Sequence, residues 1–248
     1  KGIDYENGYS LYVGIPFCPS ICLYCSFSSS PLEKWKNRID DYLAALLKEL
    51  SFISREMKDR PLNTIYIGGG TPTTLEPDQL RRLLRHIQEN FPVEEVSEYT
   101  IEAGRPDSIN REKLMAIREF PVTRISVNPQ TMNQKTLDII GRRHTVEDTV
   151  RAFCLARDCG FDNINMDLIV GLPGEHKEDV EHTLEEVKKL APDSLTVHSL
   201  AVKRAARLNI FRDQYQEMAF ENNQEIMDMA MKYAYEMGMG PYYLYRQK

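Results

Sequence analysis

The fold of this 248-residue chain is decided by Leu11-Tyr-Val-Gly-Ile-Pro-Phe-Cys18-Pro-Ser-Ile-Cys22-Leu-Tyr-Cys25, in which a short apolar run leads directly into three cysteines. Residues 11–15 have the composition of a buried β-strand, and prolines bound the loop that follows. Three thiolates at C-x3-C-x2-C spacing can hold three corners of a cubic iron–sulfur cluster, and no fourth cysteine follows nearby to close it. The stretch therefore predicts a strand that ends at a cluster with one open iron.

Other roles for these cysteines fit the sequence less well. A disulfide framework is disfavoured because the chain has five cysteines, an odd number, and shows no secretory signal. A structural zinc site needs four closed ligands, and the first histidine after the triplet is His86. Packing as small hydrophobic residues suits Cys154 and Cys159, but not three cysteines crowded into one loop.

Composition limits the class of protein and its partners. A hydrophobic content of 42% with 27% charged residues is ordinary for a soluble globular protein, and no apolar run has membrane-spanning length. We expect a reducing, cytoplasmic compartment. The net charge of −6 argues against nucleic acid as the main partner. One local basic stretch, Lys203, Arg204, Arg207 and Arg212, could bind substrate carboxylates, although such a run is more often a solvated face.

Short β-rich runs alternate with longer amphipathic ones, which is typical of βα units around a parallel sheet. Strands are predicted at 11–15, 64–67, 98–102, 123–127, 163–170 and 194–200. Helices are predicted at 33–57, 77–90, 110–119, 133–140, 146–158, 177–190 and 214–237. The pattern predicts an α/β fold, a partial TIM-like (β/α)6 barrel with outer helices, as one domain over residues 1–248. We expect the chain to be a piece of a longer protein that continues beyond both ends.

Unusual residues follow strand after strand at the edge where parallel α/β folds bind ligands. They are the cysteine loop, Gly68-Gly-Gly-Thr-Pro-Thr73, Glu102, Asn128-Pro-Gln130, Asp167 with Gly171-Leu-Pro-Gly174, and His198 with Ala201. The glycine triplet lets a ligand approach the backbone, although such a triplet alone is more often a tight turn. It is not a dinucleotide-binding motif, because Thr73 replaces the third glycine.

Asp167 is the carboxylate that most needs a partner. Alternation along 163–168 places Asn163, Asn165 and Asp167 on one face, which points into the barrel because both faces of a parallel strand are buried. An unpaired carboxylate there would cost several kcal/mol. The partner is either Arg124 or Arg142, or a bound cation such as a sulfonium. His144 and His198 could be ligands or bases, but a lone histidine is more often structural.

These motifs together resemble the radical S-adenosylmethionine (SAM) superfamily. The resemblance rests on the cysteine spacing, on Tyr24 before the last cysteine and on Gly68-Gly-Gly-Thr-Pro-Thr73. Within that superfamily, Tyr12-Val-Gly-Ile-Pro-Phe-Cys18, Gly141-Arg-Arg-His-Thr145 and Met166-Asp-Leu-Ile-Val-Gly-Leu-Pro173 resemble the oxygen-independent coproporphyrinogen III oxidase group. Val197-His-Ser-Leu-Ala-Val-Lys-Arg-Ala205 resembles in particular its HemZ-like coproporphyrinogen dehydrogenase branch.

The resemblance implies cofactors and the residues that hold them. Cys18, Cys22 and Cys25 would ligate a 4Fe–4S cluster whose open iron chelates SAM. The positions that match SAM contacts of the family are Tyr12, Tyr24, Gly70, Thr71, Glu102, Gln130, Arg142, Asp167 and Ala201. Two SAM molecules have been seen in the site of that family, so some of these residues would serve the second.

The resemblance also implies a reaction and partners. An electron donor such as flavodoxin or ferredoxin would reduce the cluster, and SAM cleavage would give a 5′-deoxyadenosyl radical. That radical would take hydrogen from a propionate of coproporphyrinogen III, and loss of carbon dioxide and one electron would leave a vinyl group. Two rounds give protoporphyrinogen IX, a step of haem biosynthesis.

One departure from the family pattern leaves a second function open. The oxidases carry a fourth cysteine two residues after the third, whereas this chain has Ser26-Phe27 there. The same pattern occurs in a related branch of haem chaperones, which bind haem without oxidising coproporphyrinogen. A haem carrier, with His198 or His144 as axial ligand, is therefore the alternative. A simple iron–sulfur electron carrier is a third option, but it would need neither the glycine motif nor Asp167.

Overall fold

A sheet of six parallel strands in chain order forms the centre of the computed structural model, which describes residues 3–4, 6–27, 30–202, 204, 206–215, 218 and 220–242. The strands are β1 (Tyr9–Ile15), β2 (Leu62–Gly69), β3 (Glu98–Glu102), β4 (Arg124–Ser126), β5 (Ile164–Val170) and β6 (Ser194–Ser199). The helices are α1 (Ile39–Glu56), α2 (Pro77–Asn90), α3 (Arg111–Arg118), α4 (Gln134–Ile139), α5 (Val146–Asp158), α6 (Lys177–Leu190) and α7 (Gln224–Glu236). The predicted α/β fold with a partial barrel of parallel strands is confirmed.

Shorter elements lie around the carboxyl edge of the sheet. The two-residue strands Phe17–Cys18 and Ser30–Pro31 pair with each other on either side of the cysteine loop. Single helical turns cover Leu32–Trp35 and Arg207–Ile210, and 3₁₀ turns cover Lys36–Arg38, Pro72–Thr74, Pro106–Ser108 and Arg212–Tyr215.

The hydrophobic core lies between the outer face of the sheet and the helices. Ile164, Met166 and Leu168 of β5 are buried in this core, as their alternation predicts. The intervening Asn165 and Asp167 instead join a polar network inside the barrel, where Asn165 accepts hydrogen bonds from Arg124, Ser194 and Thr196. The polar lining leaves the interior suited to a charged ligand. Among the described residues, no helix is long and apolar enough to cross a membrane.

Two predicted helices differ from the observed ones. The predicted helix at 33–57 is split, because a 3₁₀ turn at Lys36–Arg38 separates Leu32–Trp35 from α1. The predicted helix at 214–237 begins only at Gln224, where the Asn223 side chain caps it by accepting the Ile226 backbone amide. Residues 216, 217 and 219 of that prediction lie outside the described residues.

Candidate functional site

The cysteine loop lies at the carboxyl edge of the sheet and is held at its centre. Leu23, between Cys22 and Cys25, donates its backbone N–H to the Ile140 carbonyl at 2.9 Å and accepts the Leu208 N–H at 2.8 Å. Its side chain is buried in a small apolar cluster that includes Leu208. The loop is therefore clamped between two segments, one that follows β4 and one that follows β6 in the chain.

Two of the three loop sulfurs receive a hydrogen bond from a side chain. The Thr71 hydroxyl donates to Cys18 Sγ at 3.7 Å, and an Arg105 guanidinium nitrogen donates to Cys22 Sγ at 3.6 Å. Burial raises the pKa of the Cys18 and Cys25 thiols, so the thiolates need a cation.

The thiol arrangement fits a cubic cluster better than a single ion. Among the residues that the structure describes, no three His, Cys, Asp or Glu side chains form a group that could hold one metal ion. In a cubic cluster each thiolate binds a different iron, so its ligands stand around a cube and do not converge on one point. Half-buried thiols, two of which accept a hydrogen bond, suit such a group.

The glycine motif supports the cysteine loop through its backbone. Gly70 N–H donates to the Ile15 carbonyl at 2.7 Å, and Thr71 N–H donates to the Phe17 carbonyl at 2.8 Å. A Cβ on Gly70 would stand 2.7 Å from the Phe17 carbonyl oxygen. Glycine is thus required here because the backbone at Phe17 lies too close for a side chain. The sequence indicates a different reason, the close approach of a ligand.

A tyrosine–carboxylate pair lines the barrel interior below this edge. The Tyr66 hydroxyl donates to Glu102, and the Tyr66 ring stacks on Tyr12 with 5.8 Å between centroids. Burial raises the pKa of Glu102 to about 7, and the negative charge of Asp167 adds to the increase. Two carboxylates that repel each other in a partly buried interior form a site for a cation.

Asp167 lacks the arginine partner that one sequence interpretation predicted. Burial raises the pKa of its carboxyl, and the Asn165 amide donates to Oδ1 at 2.6 Å. Arg124 pairs instead with Glu98 at 3.3 Å. The described part of the chain shows no ion pair between Asp167 and either Arg124 or Arg142, so the structure contradicts the salt-bridge interpretation.

Arg142 connects the cysteine loop to the next strand ends. Its guanidinium is buried and donates to the Tyr24 hydroxyl at 3.2 Å, to the Gly104 carbonyl at 3.1 Å and to the Asn128 carbonyl at 2.8 Å. Burial raises the pKa of Tyr24, which keeps its hydroxyl neutral. Arg142 thus places a positive charge beside the loop.

Gln130 lies nearby with a left-handed backbone, φ 69°. It extends the β4–β5 pairing, since its N–H donates to the Asp167 carbonyl and its own carbonyl accepts from Ile169. Within the described residues its side-chain Oε1 is buried without a partner. A strained residue with an unsatisfied buried acceptor is common at ligand sites.

The remaining candidates differ in exposure. Ala201 is half-buried just after β6, and His198 is exposed. His144 is buried, both its ring nitrogens lack partners within the described chain, and burial lowers its pKa to about 3. Arg204 and Arg207 are exposed, whereas Lys203 and the side chain of Arg212 lie outside the described residues.

Sequence reasoning missed two residues of the site, Tyr66 and Arg105. Tyr66 was detectable, because alternation in β2 places it on the same inward face as Gly68. Arg105 had no such signal, since its contact with Cys22 depends on how two loops pack.

Comparison with known proteins gives a consistent result. The model of the radical SAM superfamily matches residues 12–187. The oxygen-independent coproporphyrinogen-III oxidase-like protein HemZ of Bacillus subtilis (strain 168) is 43% identical over 96% of this chain and 48% of its own length. The heme chaperone HemW of the same organism is 38% identical over 78% of this chain and 51% of its own length.

A solved structure agrees with the sequence comparison. The coproporphyrinogen III oxidase HemN of Escherichia coli, described as a radical SAM enzyme, has a TM-score of 0.78 at 28% identity, over 94% of this chain and 53% of that one. The chain spans about half the length of these relatives.

Proposed function

This chain belongs to the radical SAM superfamily, and from that membership we propose that it catalyses the oxygen-independent oxidative decarboxylation of coproporphyrinogen III to protoporphyrinogen IX. The observation that carries the proposal is a loop of three thiols at the carboxyl edge of a sheet whose inward face holds the carboxylates Glu102 and Asp167. Thiols suit an iron–sulfur cluster, and carboxylates without an arginine partner suit a sulfonium.

The cofactors of the superfamily are a 4Fe–4S cluster and SAM. We assign the cluster to Cys18, Cys22 and Cys25. When bound, the two cofactors would supply one-electron cleavage of SAM and a 5′-deoxyadenosyl radical able to take a hydrogen atom from the substrate.

The protein residues bind and orient these groups. We assign SAM contacts to Tyr12, Tyr24, Gly70, Thr71, Glu102, Gln130, Arg142, Asp167 and Ala201, some of them for a second SAM. Glu102 and Asp167 offer negative charge to the sulfonium, while Arg142 offers positive charge near the cysteine loop. The stacked rings of Tyr12 and Tyr66 give an aromatic surface next to Glu102.

The substrate assignment rests on the names of relatives and on charge. HemZ and HemN are named for coproporphyrinogen oxidation, and the exposed Arg204 and Arg207 can meet propionates. We propose a flavodoxin or ferredoxin as electron donor and the cytoplasm as compartment, where thiolates stay reduced.

An anaerobic product assay tests this function. The reconstituted protein, incubated with SAM, dithionite and coproporphyrinogen III, should yield protoporphyrinogen IX and 5′-deoxyadenosine. Cys22→Ser, the matched control, should yield neither. An intact cluster that cleaves SAM without any substrate-dependent product would refute the substrate assignment.

A haem carrier is the second candidate, because the HemW relatives of Bacillus subtilis and Lactococcus lactis, 38% and 34% identical, are named heme chaperones. Phe27, where the oxidases have a fourth cysteine, is three-quarters exposed beside the loop. Haem titration should then give a stoichiometric Soret shift that His198→Ala removes, because His198 is exposed whereas His144 is buried. Weak, non-saturable binding would exclude the carrier.

A further inference from the structure

We propose that Arg105 sets the reduction potential of the cluster by donating a charged N–H···S hydrogen bond to Cys22. The inference rests on the cluster assignment of the proposed function. It adds a positioning residue that neither the sequence motifs nor the family resemblance indicates.

The geometry of Arg105 leaves one edge of its guanidinium for the cysteine loop. Arg105 is 4% exposed. Asp107 holds the other edge in a bidentate pair, with Nε–Oδ1 at 2.9 Å and Nη2–Oδ2 at 2.8 Å. Nη1 therefore points at the loop, where it donates to the Ser20 carbonyl at 3.3 Å, to Ser20 Oγ at 2.9 Å and to Cys22 Sγ at 3.6 Å.

The three loop sulfurs differ in the charge of their donors. Cys18 receives a neutral hydroxyl from Thr71, and no charged group among the described residues donates a hydrogen bond to Cys25. Of the three, Cys22 alone receives its hydrogen bond from a cation. Ser20 in turn donates to the Gly141 carbonyl at 3.0 Å, which fixes this half of the loop against Arg105.

Reduction adds one negative charge that the iron atoms and their thiolates share. A hydrogen bond or a positive charge at a ligand sulfur stabilises the reduced cluster and raises its potential. The Asp107 carboxylate partly cancels the arginine charge. The two members of the pair should therefore act with opposite sign.

Redox titration of the reconstituted chain, followed by the EPR signal of the reduced cluster without SAM or substrate, tests this inference. Arg105→Met should lower the potential, with about a tenfold loss in the reduction equilibrium constant, or about 59 mV for one electron. Asp107→Asn, which keeps the shape but removes the negative charge, should raise the potential.

The chain contains a matched control. Arg111 Nη1 also lies 3.9 Å from a cysteine sulfur, that of Cys159, which belongs to the hydrophobic core and not to the loop. Arg111→Met should leave the potential unchanged.

The outcomes separate this inference from the proposed function. A wild-type chain that holds no 4Fe–4S cluster would overturn both. A cluster whose potential is the same in wild type and Arg105→Met, or moves in the same direction in Arg105→Met and Asp107→Asn, would overturn only this inference. If Arg105→Met fails to hold a cluster, Asp107→Asn provides the test. A higher reduction potential in Asp107→Asn than in wild type supports the inference, and an unchanged or lower potential overturns it.

Discussion

Replacing Glu102 with glutamine should make the cluster-free protein more stable and weaken its affinity for SAM. Glu102 is partly buried, faces the negative charge of Asp167 and has no cationic partner among the described residues. Glutamine has the same shape, and its carbonyl can still accept the Tyr66 hydroxyl. The substitution therefore removes the charge and little else.

The magnitude follows from the pKa of Glu102, which rises from an ordinary 4.5 to about 7 in the folded chain. Because the folded state holds the proton more tightly, the stabilising contribution is present below pH 4.5 and is lost as pH rises through 7. At ~1.4 kcal/mol per pKa unit, the full loss is about 3 kcal/mol. Glu102→Gln should exceed wild type by less than about 1 kcal/mol at pH 5 and by about 3 kcal/mol at pH 8.

Urea unfolding at the two pH values, followed by far-UV circular dichroism, measures this difference. Glu112→Gln, on the exposed face of α3, is the matched control and should stay within about 0.5 kcal/mol of wild type at both pH values. A Glu102→Gln variant no more stable than wild type at pH 8 would refute the electrostatic argument.

Four further predictions concern the same region. The affinity of the reconstituted wild type for SAM, measured by calorimetry, should increase as pH rises through 7, because a sulfonium favours ionised Glu102; a flat profile would contradict the pairing. Serine at any one of the three loop cysteines should abolish the visible absorbance of the cluster, whereas serine at the exposed Cys154 should not. Gly70→Ala should destabilise the fold by about 1–3 kcal/mol, since its Cβ would crowd the Phe17 carbonyl, whereas Gly104→Ala meets its nearest atom only at 3.5 Å and should cost less; equal unfolding midpoints would count against this account. Leu208→Ala should lower the free energy of unfolding by about 2–4 kcal/mol and shorten the lifetime of the bound cluster, because the side chain is buried against the cysteine loop. An unchanged rate of cluster loss would show that Leu208 does not support the loop.

The order of the strands, and the carboxyl edge of the sheet as the position of the site, were predictable because they depend on local sequence patterns. Alternation in residues 163–170 and the helix start at Pro77 depend only on neighbours in sequence, and both are confirmed. The cysteine spacing likewise identified the superfamily, whereas the individual SAM contacts stay predictions.

Contacts between distant loops were beyond the reach of the sequence. The alternation of β5 placed Asp167 inside the barrel, but it could not show that Arg124 would pair with Glu98 instead. The role of Arg105 was equally out of reach, because its contact with Cys22 depends on how two loops distant in sequence pack together. No sequence periodicity encodes that packing. The late start of α7 follows from the Asn223 cap, which an amphipathic pattern alone does not reveal.

The clamp on Leu23 has a consequence for when the protein can acquire its cofactor during synthesis. The cysteines leave the ribosome early, but the two backbone partners of Leu23 are Ile140 and Leu208. At ~5–20 residues per second, Leu208 follows the loop by roughly 10–40 s. Until then the cysteine loop lacks the backbone hydrogen bond from Leu208 to Leu23. Assembly machinery that delivers iron and sulfide would therefore meet a formed binding loop only after almost the whole barrel has been translated.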